Sequence, residues 1–272
     1  MTKRRLPSRI VCLTTETVEV LYALSEEARI VGITGYTVIP PRARKEKPKV
    51  FAFSSGDLEK ILAVQPDLVL GFSDMQAEVA RDLIKAGVAV HVFNQRSIDG
   101  ILAMIEAVGR LVGAEDQALS LVAELEATID TVRAQAALLP RRPRVYFEEW
   151  DEPQISAVRW VSELIGIAGG DDIFAERACH PAAAQRILAD PLEVVRRAPD
   201  LIVGSWCDDG GTCPPSSCLP VVASGRFARL ALVLRQVVVA GGAQLVYVEV
   251  VHGDRVHRDR AQLFQGLQMP VL

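Results

Sequence analysis

Five short apolar runs, residues 9–13, 30–34, 49–53, 67–70 and 88–93, alternate with stretches of helical periodicity. That alternation constrains the fold more than any other feature. A strand that is apolar on both faces needs cover on both faces, which is the condition of a parallel sheet between layers of helices. The intervening stretches fit this plan. Val18, Leu21 and Tyr22 recur at helical spacing within 16–24, Asp57 precedes a helix through Val64, and another helix lies near 75–86. His91 is expected within a buried strand. Residues 1–95 are expected to form an α/β lobe.

The pattern changes over residues 96–140. Ser97 has the side chain to cap a helix carrying Ile98, Ile101, Leu102, Ile105 and Val108, and Gly113 breaks it. Glu115 opens a longer helix with Ala118, Leu121, Val122, Leu125, Ile129 and Val132 along one face. Helical from 115 to 138, it is roughly 36 Å long at about 1.5 Å per residue. Pro140 and Pro143 stop it. The remainder repeats the earlier plan, with strands at 144–147 and 201–203 and helices at 161–167 and 192–197. One pair of segments is alike residue by residue: Asp57-Leu58-Glu59 with Pro66-Asp67-Leu68-Val69-Leu70-Gly71, and Leu192-Glu193 with Pro199-Asp200-Leu201-Ile202-Val203-Gly204. The expectation is two similar α/β lobes with mainly parallel sheets flanked by helices. They are residues 1–95 and 141–272, bridged by one long helix in the connector 96–140.

Composition narrows the function. Half the residues are hydrophobic and 24% are charged, which excludes wholesale disorder. A net charge of −4 gives no electrostatic case for nucleic-acid binding. The basic cluster at 42–49 is interrupted by Glu46 and reads as a solvated loop. No run of eighteen apolar residues is present. The basic start, Lys3-Arg4-Arg5, lacks the apolar region of a secretory signal, so the chain as written is expected in the cytoplasm, or in the periplasm or at the cell surface if its true start lies upstream. Five cysteines without regular spacing argue against a disulfide framework.

In open parallel sheets the ligand sits beyond the carboxyl ends of the strands, and clefts between domains take small molecules. The residues just past those ends are therefore the candidates. They are Thr14 and Thr15, Tyr36, Phe53 and Phe72 in the first half, then Glu149, Trp150 and Trp206 in the second. Trp160 lies further along, on or just before a helix. Aromatics are 6% of the chain, yet several fall at these positions. Rigid rings suit a large, flat, partly apolar ligand, although each taken singly also reads as a core-edge aromatic.

The chain resembles the substrate-binding proteins of ABC importers for cobalamin and ferric siderophores, whose two lobes are bridged by a single long helix. The likeness rests on Arg9-Ile10-Val11-Cys12-Leu13 with 14–24, on Val31-Gly32-Ile33-Thr34 through Tyr36 to Pro40-Pro41, and on Asp57-Leu58-Glu59-Lys60-Ile61-Leu62 to Leu70. It continues with Trp160 through Leu164 to Ala168-Gly169-Gly170 and ends near Pro199-Asp200-Leu201-Ile202-Val203. The resemblance implies a rigid two-lobed binder for a bulky metal chelate, cobalamin first, with a ferric siderophore or haem as runner-up. It implies Tyr36, Phe53 and Phe72 as ligand contacts, with Trp150 a looser match. It also implies a permease-docking glutamate on each lobe, Glu59 in register and Glu193 one residue out. An acid in the first turn of a helix also simply favours the helix dipole. The implied partners are the small molecule and an ABC permease, with the protein itself a monomer.

Two features depart from that family. The missing signal leaves open a cytoplasmic homologue that stores, senses or hands over its ligand. Residues 207–272 are atypical: a Gly/Cys/Pro/Ser-rich stretch at 207–220, apolar segments at 230–240 and 245–251, and a charged run at 252–260. They read either as a shifted-frame or joined tail that misfolds, or as a β-rich replacement for the last unit. An enzyme is disfavoured, because no G-x-G-x-x-G, P-loop or G-x-S-x-G is present, and Glu148 and Glu149 are adjacent on a strand. The cysteines and the four histidines lack zinc spacing, so no metal site and no cofactor of the protein's own is expected, the ligand bringing its own cobalt or iron. Arg159 is the one arginine placed near the cleft, which tilts the ligand toward the corrinoid over anionic siderophores.

Overall fold

The computed structural model describes residues 5–52, 58–204 and 247–250, and divides the chain into two compact units at Asp130/Thr131. In the first unit the elements run β1 (Ile10–Cys12), α1 (Thr15–Ala23), β2 (Ile30–Thr34), α2 (Ala43–Glu46), β3 (Lys49–Phe51), α3 (Leu58–Ala63), β4 (Leu68–Phe72), α4 (Ala77–Lys85), β5 (Ala89–Phe93), α5 (Ile98–Val112) and α6 (Glu115–Ala136). The five strands are all parallel, in the order β3-β2-β1-β4-β5.

Strand alternation sorts the core onto two faces. Ile10, Cys12, Leu68 and Leu70 pack with Val18 and Leu21 of α1 and with Met104, Ile105 and Val108 of α5. Val11, Leu13 and Val69 point the other way, against Val50, Phe51, Ile61 and Leu83. Each fully buried Val, Leu or Ile contributes roughly 1.5–3 kcal/mol of hydrophobic stabilisation. At Gly32 in β2 a Cβ would come within 2.7 Å of Val50 Cγ2, so the Val50 side chain of the neighbouring β3 packs over this position only without a side chain there. α5 is capped as its sequence requires: Ser97 Oγ accepts from Gly100 N at 3.1 Å, and Gly113 takes the left-handed C′ conformation at φ 75°. Its apolar face lies in the first unit's core. The unit boundary falls within α6, whose Ala118 and Val122 belong to the first core and Val132 to the second.

The second unit contains β6 (Arg144–Asp151), β7 (Gln154–Ser156), α7 (Arg159–Ile167), β8 (Asp171–Asp172), α8 (Ala175–Ala178), α9 (Leu192–Arg197), β9 (Leu201–Gly204) and β10 (Tyr247–Val250). Its sheet is mixed. β6 pairs parallel with β9 and β8 but antiparallel with β7, and β9 pairs antiparallel with β10. The strand expected at 144–147 thus continues four residues further, because it folds back on itself as a hairpin through 152–153.

The internal sequence match has a physical counterpart. In the first unit Asp67 accepts from Ser8 N at 2.8 Å, Ser8 Oγ at 2.9 Å and Arg9 N at 2.9 Å, while the Arg9 guanidinium reaches Val64 and Gln65 carbonyls at the end of α3. In the second, Asp200 accepts from Arg144 N at 2.8 Å and is gripped by both Arg141 nitrogens, while the Arg144 guanidinium donates to the Arg197 carbonyl at the end of α9. Gln65 and Ala198, each preceding the proline, both turn left-handed, at φ 48° and 44°. Each aspartate therefore ties the start of the strand it precedes to the start of the neighbouring parallel strand. Burial alone would raise the Asp67 carboxyl, but its Ser8 and Arg9 donors outweigh that and hold it below the ordinary range; Arg141 does the same for Asp200.

Candidate functional site

The strand order 3-2-1-4-5 reverses direction between β1 and β4, and that is where a doubly wound sheet opens a crevice at its carboxyl edge. A buried amide holds this point. Gln76 is 1% exposed; its Nε2 donates to Leu13 O at 3.2 Å and its Oε1 accepts from Phe72 N at 2.9 Å, joining the ends of the two strands. A Cβ at Gly71 would sit 2.8 Å from that Oε1, so glycine there admits the amide. Ser73 follows in the left-handed region at φ 64° and accepts through Oγ from Met75 N. The backbone thereby turns sharply and leaves Phe72 half-buried at the strand end.

Phe72 carries a cation on its ring. Arg96, three residues past the end of β5, stacks its guanidinium carbon 4.7 Å from the ring centroid. Among the described residues its nearest carboxylate oxygen is Asp74 Oδ1 at 3.8 Å, on a side chain that is 91% exposed. Arg96 Nε and the neighbouring Gln95 Oε1 are buried without hydrogen-bond partners among the described residues. Arg159 is the arginine that the sequence leads one to expect near the cleft. Arg159 lies exposed on α7, paired at 2.8 Å with Glu163 one turn on. Arg96 was legible only as a polar residue between a strand end and the Ser97 cap; its stacking partner lies in another strand.

Tyr36, at the end of β2, is 56% exposed. Its loop is built by the basic cluster. Residues 42–49 are not a solvated loop, since they include the helical turn α2, and Arg44 Nη1 donates to Gly35 O at 2.9 Å and Thr37 O at 2.8 Å. Arg42 stacks on Tyr22 and Lys47 Nζ donates to Glu27 O. Cations satisfy the carbonyls of the loop and leave the Tyr36 ring outside. Thr15 is the first residue of α1 and half-buried, while Thr14 is buried. Phe53 and Trp206 lie outside the described residues, as does the 207–272 tail apart from β10.

In the second unit Glu149 and Trp150 lie inside β6 rather than past its end. The register skips at Glu149, with Glu148 opposite Ser156 and Trp150 opposite Ile155, so Glu149 is the extra residue of a β-bulge. Its carboxylate is occupied by both terminal nitrogens of Arg186, a side chain 3% exposed that also donates to Ser156 O. Glu148 serves different partners, Tyr146 Oη and Gln154 Nε2. Trp150 is 37% exposed and donates through Nε1 to Glu152 O. Trp160, on α7, packs against the second core.

Other expectations divide. Glu59 is exposed in the first turn of α3. Glu193 is engaged, bonded to Arg197 at 2.6 Å and to Arg177 at 3.2 Å, and these lower its carboxyl pKa below the ordinary range. His91 is exposed, not buried, because β5 is the edge of its sheet. Burial pushes the Cys12 thiol up to about 12, leaving it protonated and inert. Among the described residues no three His, Cys, Asp or Glu side chains come together as metal ligands, and no helix is long and apolar enough to cross a membrane.

A family profile described as periplasmic binding protein matches residues 10–214. A cobalamin-binding protein of Halobacterium salinarum is 26% identical over 206 residues, covering 72% of this chain and 53% of that protein. The chain thus spans about half the length of that relative. Among solved structures, the periplasmic heme-binding protein RhuT of Roseiflexus sp. RS-1 is 26% identical with a TM-score of 0.61, over 72% of this chain and 75% of that one. The periplasmic vitamin B12 binding protein BtuF of Vibrio cholerae is 23% identical with a TM-score of 0.61, over 73% and 76%, which supports the α/β fold.

Proposed function

This chain belongs to the periplasmic binding protein family, and from that premise we propose that it binds a bulky metal-chelate small molecule, cobalamin first, as the substrate-binding component of an ABC import system. The observation that carries the reading is the pair of accessible aromatics, Tyr36 and Phe72, at the carboxyl ends of β2 and β4, the edge where such sheets take ligands. Flat rings held by a buried amide and an arginine-braced loop offer stacking area at little entropic cost. Glu59 is the residue proposed to meet a permease. The ligand supplies its own cobalt or iron, and the protein supplies shape and charge.

Haem or a ferric siderophore is the second reading. It is favoured by Arg96, a cation at this edge that an anionic chelate would use.

The test is a tryptophan-fluorescence titration of the full chain with cyanocobalamin, haem and a ferric hydroxamate, corrected for ligand absorbance. Saturable quenching is expected, weakened about two- to tenfold by Tyr36→Ala or Phe72→Ala, in line with roughly 0.5–1.5 kcal/mol per aromatic contact. No saturable response to any of the three, or full affinity in both variants, overturns the reading.

A further inference from the structure

We propose that Arg96 determines specificity by taking an oxyanion, a carboxylate or phosphate oxygen, that projects from the edge of the chelate stacked near Phe72. The inference rests on the metal-chelate reading above. Its ground is the way this guanidinium is left. Elsewhere the protein spends its arginines on internal acceptors: Arg9 on carbonyls of the α3 end, Arg44 on the Tyr36 loop, Arg186 on Glu149 and Ser156, Arg197 on Glu193. Arg96 has one face on an aromatic ring and, among the described residues, a single weak ionic neighbour, Asp74, at 3.8 Å and beyond hydrogen-bond reach. Stacking orients the planar fork without using its donors, so the donor edge remains for a planar anion. Its Nε is buried and unpaired among the described residues, and a buried unpaired donor is unfavourable unless a further partner satisfies it. The adjacent buried Gln95 Oε1, an acceptor without a partner among the described residues, would take an amide or hydroxyl donor beside the same anion.

The experiment compares the full chain with Arg96→Met, which keeps the apolar stem, and Arg96→Lys, which keeps the charge but loses the fork. Each is titrated with cyanocobalamin, which carries a phosphodiester; dicyanocobinamide, the corrin without it; haem, with two carboxylates; and an uncharged ferric hydroxamate. Thermal melts establish that each variant folds, and Arg96→Lys decides if Arg96→Met does not. Arg96→Met is expected to weaken the oxyanion-bearing ligand about 10- to 100-fold and to leave cobinamide or the hydroxamate within about twofold, with Arg96→Lys between. A selective loss of cobalamin identifies a phosphate, and a selective loss of haem a carboxylate. Unchanged affinity, equal weakening of all ligands, or wild-type binding only of chelates without an oxyanion overturns this inference and leaves the metal-chelate reading standing. Binding of none by the wild type removes both.

Discussion

Gln76→Glu tests the amide that joins β1 to β4 with a change of almost no volume. Gln76 donates to Leu13 O and accepts from Phe72 N while 1% exposed. A protonated glutamic acid reproduces both bonds, its hydroxyl donating to Leu13 O and its carbonyl accepting from Phe72 N. A carboxylate cannot donate. It sets a charged oxygen against a carbonyl in a site closed to water, although the Phe72 N–H favours it. Desolvation raises such a group by several units, and donation to the carboxylate reduces that, so a net rise of about two units is expected, or ~2.7 kcal/mol.

The sign follows from linkage. The folded pKa lies above the unfolded one, so the acid's contribution is intact below about pH 4.3 and is lost as pH rises through roughly 6.3. At pH 7.5 the variant should melt roughly 5–10 °C below wild type, at about 2–4 °C per kcal/mol for a chain of this size. At pH 4 the deficit should nearly vanish. The assay is thermal unfolding by circular dichroism, read as variant minus wild type at each pH, which cancels the native carboxylates common to both. A deficit equal at both pH values, or none at pH 7.5, refutes the argument that this amide is a required donor.

The matched aspartates predict an acid limb. Both are held below the ordinary carboxylate range, so their stabilisation is present above about pH 4 and lost as pH falls through the lower folded values. Urea unfolding from pH 7 to 2 should show a shallower acid limb in Asp67→Asn and Asp200→Asn, each costing under about 1 kcal/mol at neutral pH because the sites are partly solvated. Gly32→Ala should cost about 1–3 kcal/mol by denaturant titration, since its methyl meets Val50 at 2.7 Å. Glu19 behaves oppositely to the aspartates: burial first, then Glu16, push its carboxyl up to about 8. Its folded pKa exceeds the unfolded one, so stability falls as pH climbs from about 4.3 toward 8, and Glu19→Gln should remove that decline, gaining ~1–3 kcal/mol by pH 8.5.

The first sheet was legible from sequence because its strands are buried on both faces and its helices carry their own punctuation. Apolar runs at 9–13 and 67–70, the Ser97 cap and the Gly113 stop are local statements, and local geometry obeyed them. The likeness of 57–71 to 192–204 was legible too, and the structure supplies its cause in Asp67 and Asp200. What a linear reading could not decide was order across the sheet. His91 lies in a run as apolar as its neighbours, yet β5 is an edge strand, and edge or centre is set by the crossovers that place strands side by side. The same limit hid the hairpin: whether residues 148–151 end a strand or fold back depends on β7 and Arg186 arriving from later in the chain to take Glu149. It hid Arg96 as well, which is unremarkable in sequence and becomes a candidate contact only where β4 and β5, adjacent in space, bring it onto Phe72. Composition and periodicity determine which segments must be covered. Only the tertiary structure determines what covers them, because side chains meet through pairings between strands distant in the chain.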